Sequence, residues 1–193
     1  MAFYYYFLII LVLSISKCIS IKQNGYYFYL PTNKNHPNNY DEVKLVEYAV
    51  KNRNIEDVNF HKFTDYSVVP AFEELLRKNN IKYDGDMDEI ILKHVSAILN
   101  LKHEYNRARP WQVNKKLNNL YSYTAHTPAY PAGHAYQAWV LYRILSSKYP
   151  QLKDELYKTA EYCDRVRVIA GLHYPSDGEY SKKLVFALKQ KEL

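Results

Sequence analysis

The sequence predicts an all-α domain of six or seven helices, on three observations. Apolar residues recur at steps of three and four through most of the chain beyond residue 40. No run alternates apolar and polar residues over a convincing strand length. Pro70, Pro110 and Pro175 stand where helices would start or stop rather than inside them. Helices of this kind bury their apolar stripes against one another.

The chain has 193 residues, of which 48% are hydrophobic and 24% charged, enough for one compact domain with a sizeable core. Its 21 tyrosines, with frequent Lys, Asn and Ile, look like codon bias and carry no functional reading. A net charge of +6 favours anionic partners. The basic residues are scattered and no nucleic-acid-binding motif stands out, so nucleic acid is not an expected partner. Cys18 and Cys163 are the only cysteines and make no disulfide framework. Cys163 reads as a small core residue.

Residues 2–16 form an uncharged apolar run closed by Lys17. It is short of the ~20 residues that span a bilayer and fits a secretory h-region, although no Lys or Arg precedes it. Residues 1–20 are therefore read as a signal peptide or an uncleaved membrane anchor. The rest, residues 21–193, is one domain on the outer side of a membrane: secreted, periplasmic or anchored. Membrane contact is expected only through residues 1–20.

Residues 21–40 read as irregular. A helix from Asp41 to about Lys51 places Val43, Val46, Ala49 and Val50 on one face. A second runs from Ser67 to about Lys78, with Pro70 in its first turn and Phe72, Leu75 and Leu76 inward. Asp84, Asp86 and Asp88 resemble the start of a calcium loop, but Glu89 and Val95 stand where it needs glycine and glutamate. They read as acids opening the next helix. That helix, about Met87 to Ala108, carries the stripe Ile91, Val95, Ile98, Lys102, Tyr105, Arg109. The stripe starts aliphatic and ends in two cations, ~10 Å apart along the axis. Residues 111–130 read as a loop, long enough to be either functional or mobile. Gly133 and His134 open a helix with Ala135, Ala138, Trp139, Tyr142 and Leu145 inward. Leu152, Leu156, Ala160, Cys163, Arg167 and Ala170 make another stripe, again with a cation on a core position. Gly171 breaks it, and a last helix follows Pro175.

An unpaired buried charge costs several kcal/mol. Lys102, Arg109 and Arg167 all end apolar stripes, and Asp177 is the one inward acid read near them. A bound oxyanion resolves this, held by one point charge and two planar forks. Backbone N–H groups of Ala132-Gly133-His134, at a helix N-terminus, would add donors. His173 and Asp177 are four apart, so the carboxylate is expected to hold one imidazole nitrogen and leave the other to attack. His134 is placed to protonate a leaving oxygen. His36, His61, His94, His103 and His126 read as structural or surface residues.

These segments resemble the signature of the type 2 phosphatidic acid phosphatase and vanadium haloperoxidase superfamily: Lys-x6-Arg-Pro, then Pro-Ser-Gly-His, then Ser-Arg-x5-His-x3-Asp. Lys102 and Arg109-Pro110 match the first part, Pro131, Gly133 and His134 the second, and Arg167, His173 and Asp177 the third. The single leader looks like the secreted class A acid phosphatases. The resemblance implies a helical bundle of the acid phosphatase/haloperoxidase type. It implies a phosphomonoesterase with His173 as nucleophile, His134 as general acid and Asp177 as the partner of His173. Lys102, Arg109, Arg167 and the Ala132-Gly133 segment would bind phosphate. The implied substrate is a small phosphorylated molecule, a lipid phosphate included, and no metal or other cofactor is implied. Vanadate would act as a phosphate mimic, or as the cofactor of a haloperoxidase. Ala132 and Val166 stand where the family has serine. The first change removes a phosphate donor worth ~1.5–3 kcal/mol, which implies a slower enzyme or an oxyanion-binding relative without turnover.

Overall fold

The computed structural model describes residues 21–23, 26–28, 36–189 and 192–193. The expected leader, residues 1–20, lies outside them. The chain divides into two compact units, residues 1–31 and 32–193.

In the first unit, Ile21–Gln23 (β1) and Tyr26–Phe28 (β2) pair antiparallel, with Ile21 opposite Phe28 and Gln23 opposite Tyr26. This corrects the irregular reading at residues 21–23 and 26–28. Aromatic and β-branched residues favour strands, but three per strand are too few to show an alternation.

The second unit is all-helical among its described residues. It has seven α-helices of ten residues or more and one single turn: α1 Asn39–Lys51, α2 Ile55–Thr64, α3 Val69–Lys78, α4 Met87–Tyr105, the turn α5 Pro110–Val113, α6 Gly133–Lys148, α7 Lys153–Ile169 and α8 Pro175–Ala187. No helix among the described residues is long and apolar enough to cross a membrane.

Local chemistry sets most boundaries. Asn38 accepts from the Tyr40 amide and starts α1, with Asp41 and Glu42 in its first turn. Asp86 caps α4 by accepting from the Glu89 amide at 2.9 Å. That helix ends at Tyr105, earlier than expected, because Asn106 adopts the left-handed conformation (φ 46, ψ 43). Arg109 therefore is not on α4, and the two-turn spacing to Lys102 does not hold; Arg109 is instead the N-cap residue of α5. The sequence reading also passed over α2. Its buried residues are Asp57, His61 and Thr64, so it has no apolar stripe.

The centre of the unit is α6, whose Ala135, Tyr136, Ala138, Trp139, Val140, Leu141, Tyr142 and Leu145 are all buried. It packs on α4, α7 and α8, while α7 also meets α1, α2 and α3. The inward stripe of α7 is buried as expected at Leu156, Ala160, Cys163 and Arg167. Gly171 closes α7 at φ 77, and a Cβ there would lie 2.9 Å from the Asn119 side chain, so only glycine fits without displacement. The long loop after α5 is pinned to this framework. Leu120 donates to the Ala170 carbonyl at 2.8 Å, Ala129 to Arg107 at 2.9 Å and Ala132 to Asp177 at 3.1 Å.

Candidate active site

Packing α4, α6 and α7 around the pinned loop brings the charged ends of three segments to one place. A cavity of about 40 Å³ is lined by Lys102, Arg109, Thr124, Thr127, Ala129, Ala132, Gly133, His134, Arg167 and His173. That is room for a few waters or one small tetrahedral anion. Every residue singled out from the sequence lines it except Asp177. A groove of about 680 Å³ over α3 and the start of α4 contains none of them.

The three cations are held from behind. Lys102, 5% exposed, donates from Nζ to the Pro128 carbonyl at 2.8 Å and to Ala129 at 3.3 Å. Arg109 donates to the carbonyls of Thr127 at 2.8 Å, Leu172 at 2.7 Å and Pro128 at 3.4 Å. Lys102 and Arg109 thus share one acceptor, Pro128, and their charged heads converge without sharing a helix. Arg167 pairs with Asp65 at 2.6 Å through Nη1, and donates through Nη2 to Ser122 at 2.9 Å and Thr124 at 3.2 Å. Burial, followed by the neighbouring arginine, holds Lys102 well below the usual lysine range. Burial and Arg167 push Arg109 down to about 10. Burial also lowers Arg167, against the pull of Asp65.

Helix α6 points its N-terminus into the same space. Its N-cap residue, Ala132, makes no side-chain cap, so the first-turn N–H groups receive no hydroxyl. A Cβ on Gly133 would meet Lys102 Cε at 3.6 Å, an ordinary contact. Packing therefore does not require the glycine; its smallness leaves the cavity wall open.

His134 Nε2 lies 2.9 Å from the Asp65 carbonyl and 3.1 Å from that of Thr64. A carbonyl only accepts, so Nε2 carries the proton and Nδ1 does not in the neutral ring. His173 Nδ1 lies 3.0 Å from the Tyr174 carbonyl, which by the same rule protonates Nδ1 and leaves the Nε2 lone pair. Burial, reinforced by Arg167, holds both imidazoles well below the ordinary histidine range.

The expected pairing of His173 with Asp177 is not formed. His173 precedes α8, so the spacing of four does not put the two residues on one helical face. Asp177, at the third position of α8, turns back to accept from the Tyr174 amide at 2.7 Å and from Arg107 at 2.5 Å. The carboxylate nearest His173 belongs to Asp164, whose Oδ1 is 3.5 Å from Nε2. Burial and then the charge of Asp177 push Asp164 up to about 7. Its carboxyl lies over Gly178, where a Cβ would come within 2.0 Å of Oδ1.

Asp177 is also not the only inward acid. Asp65 is 5% exposed and accepts from Ser122, the Tyr123 amide and Arg167. These bonds to Ser122 and Arg167 outweigh its burial and hold the carboxyl below its ordinary value. Sequence reasoning missed Asp65, His61, Thr124, Thr127, Arg107 and Asp164 as parts of this assembly. The length of the loop was the signal for the threonines. Asn54 followed by Asp57, which form a reciprocal capping box, was the signal for the helix that carries His61 and leads to Asp65.

Among the described residues, no group of three or more His, Cys, Asp or Glu side chains could hold a metal ion. What the cavity can hold is a small oxyanion, met by three cationic side chains, the N–H groups of α6 and two neutral imidazoles. No protein-family model matches the chain, and no curated protein matches it.

Proposed function

We propose that the protein is a phosphomonoesterase that works through a phosphohistidine. The observation that carries this reading is the convergence of Lys102, Arg109, Arg167, His134 and His173 on one anion-sized cavity at the N-terminus of α6. Three cations and helix N–H groups aimed at one point stabilise charge spread over phosphoryl oxygens. The His173 Nε2 lone pair attacks phosphorus as the ester P–O bond breaks, and the leaving oxygen takes a proton from His134. Water then attacks the phosphohistidine, the P–N bond breaks, and His134 takes the proton from that water.

For the first step His134 must be cationic. Its pKa is low in the free cavity, largely because it is buried and beside Arg167. A phosphate dianion among these cations reverses the second of those causes and favours the imidazolium. The ester's organic group has a place in the adjoining groove of about 650 Å³, which shares Arg109 and Thr127 with the cavity. His103, Asn106, Trp111, Gln112 and His126 make its lining polar and aromatic rather than aliphatic.

The test is hydrolysis of an aryl phosphate in the presence of a chelator, with orthovanadate as inhibitor. Turnover that His173→Ala abolishes, with an acid-labile phosphoprotein in the wild type, is the expected result. A folded protein without turnover from acid to neutral pH would sink the reading. Ala132 favours a second reading, an oxyanion-binding protein without turnover, which phosphate-dependent thermal stabilisation in an inactive protein would distinguish.

A further inference from the structure

The clamp behind Arg167 has a member with no part in the chemistry above. His61, on α2, is 2% exposed. Its Nε2 lies 2.9 Å from the Tyr121 carbonyl and its Nδ1 3.3 Å from Arg167 Nη1. A carbonyl cannot donate, so Nε2 holds a proton. A guanidinium cannot accept, so Nδ1 must present a lone pair. Both contacts are satisfied only by the neutral, Nε2-protonated imidazole. The same Nη1 is held by Asp65 at 2.6 Å, so the guanidinium is fixed from two sides by His61 on α2 and by Asp65, the residue that caps the C-terminus of that helix.

We propose that His61 is a positioning residue for Arg167: neutral, it helps hold the guanidinium toward the oxyanion cavity, and protonated, it pushes the guanidinium out of place. The inference rests on the oxyanion site proposed above. Protonation would set two N–H donors and two positive charges against each other where one hydrogen bond stood. The groups facing His61 are Arg167 from α7, Asp65 from the end of α2, Arg53 from the turn before α2, and the Tyr121 carbonyl from the loop. Burial and the two arginines resist protonation, while Asp65 and Tyr121 favour it; the balance holds His61 below the ordinary histidine value. The contact is therefore intact at neutral pH and lost in acid.

Sulfate is the probe, because its charge does not change between about pH 5 and 7.5. Binding is measured by calorimetry for the wild type, His61→Asn and His61→Leu. Asparagine can offer Oδ1 to Arg167 from nearly the place of Nδ1 and does not titrate. At about pH 7.5 the asparagine variant is expected to bind within about twofold of the wild type, and the leucine variant about tenfold more weakly. Towards pH 5 the wild type is expected to lose affinity relative to His61→Asn. Equal binding by the leucine variant, parallel pH profiles of wild type and His61→Asn, or no sulfate binding by the wild type overturns the proposal. Should both variants fail to fold, the tautomer of His61 in the wild type, read from long-range ¹H–¹⁵N NMR couplings, decides. An Nε2–H ring supports the proposal and an Nδ1–H ring overturns it. Sulfate binding that depends on His61 in a protein without turnover would keep this inference and remove the phosphatase. Turnover with no His61 effect would do the reverse.

Discussion

Arg107 Nη1 lies 2.5 Å from Asp177 Oδ1, and neither side chain is exposed to solvent. The same guanidinium bonds Glu42 at 2.6 Å, Ser176 at 2.7 Å and Asn39 at 2.9 Å, and lies over the Tyr174 ring at 4.0 Å from its centroid. One arginine from the link after α4 therefore ties α1 to the start of α8, and Asp177 belongs to that tie rather than to His173.

Removing one partner of a buried ion pair leaves the other charge uncompensated and costs about 3–5 kcal/mol. Arg107→Ala is expected to lose that much stability in urea denaturation. Asp177→Asn leaves Arg107 paired with Glu42 and is expected to lose less. If Asp177→Asn leaves stability untouched while abolishing phosphate hydrolysis, the tie described here is not the role of Asp177.

Ala132 makes no cap at the start of α6. Ala132→Ser places a hydroxyl there, and a serine cap is worth about 1 kcal/mol of helix stability. The hydroxyl also faces the cavity, where a hydrogen bond to an anion raises affinity by about tenfold. The expected outcome is a higher melting temperature together with tighter phosphate binding, measured by calorimetry. Tighter binding without stabilisation would mean the hydroxyl serves only the anion.

Gly178 makes room for the Asp164 carboxyl beside His173. In Gly178→Ala the added methyl must displace that carboxyl, the free end of a short side chain, at a cost of about 1–3 kcal/mol. The displaced carboxyl gains water, so its titration is expected to fall from about 7 toward the ordinary carboxylate range. Carboxyl ¹³C shifts against pH read this directly. A titration still near 7 would show that burial at Asp164 does not depend on the glycine.

His94 is 1% exposed and its folded-state value is pushed down to about 4, chiefly by burial. His61, His134 and His173 are lowered as well. A group whose pKa is depressed on folding stabilises the fold above its unfolded value and loses that contribution as pH falls through its folded value. For His94 the window runs from about 6.5 down to about 4, and its full loss is about 3 kcal/mol. Stability is therefore expected to drop steeply in acid, with proton uptake on unfolding near pH 5 by more than one group. His94→Phe should remove one proton from that uptake; an unchanged pH slope would exclude His94 as a contributor. Asp164 works in the opposite sense. Its folded value is raised, so its contribution is present in acid and lost as pH rises through about 7.

The helices that bury apolar faces could be read before folding. The stripes of α1, α6 and α7 repeat every three to four residues because an amphipathic helix must pack that way, and they are buried as read apart from the half-buried Ala49. So could two of the cations that line the cavity, because Lys102 and Arg167 stand on helix positions that should be apolar; Arg109 was read on the stripe of α4 but lies beyond the end of that helix. Periodicity could not show α2, since the face it buries is Asp57, His61 and Thr64, and buried polar groups leave no apolar pattern. Nor could it show who partners whom. Asp65 reaches Arg167 across 102 positions in sequence, and Arg107 reaches Asp177 across 70. The chain alone marked Lys102 and Arg167 as charges that had to be neutralised in the interior. Only the packing of helices decided which acid neutralises which base, because that choice turns on ångström distances between segments whose separation along the chain carries no such information.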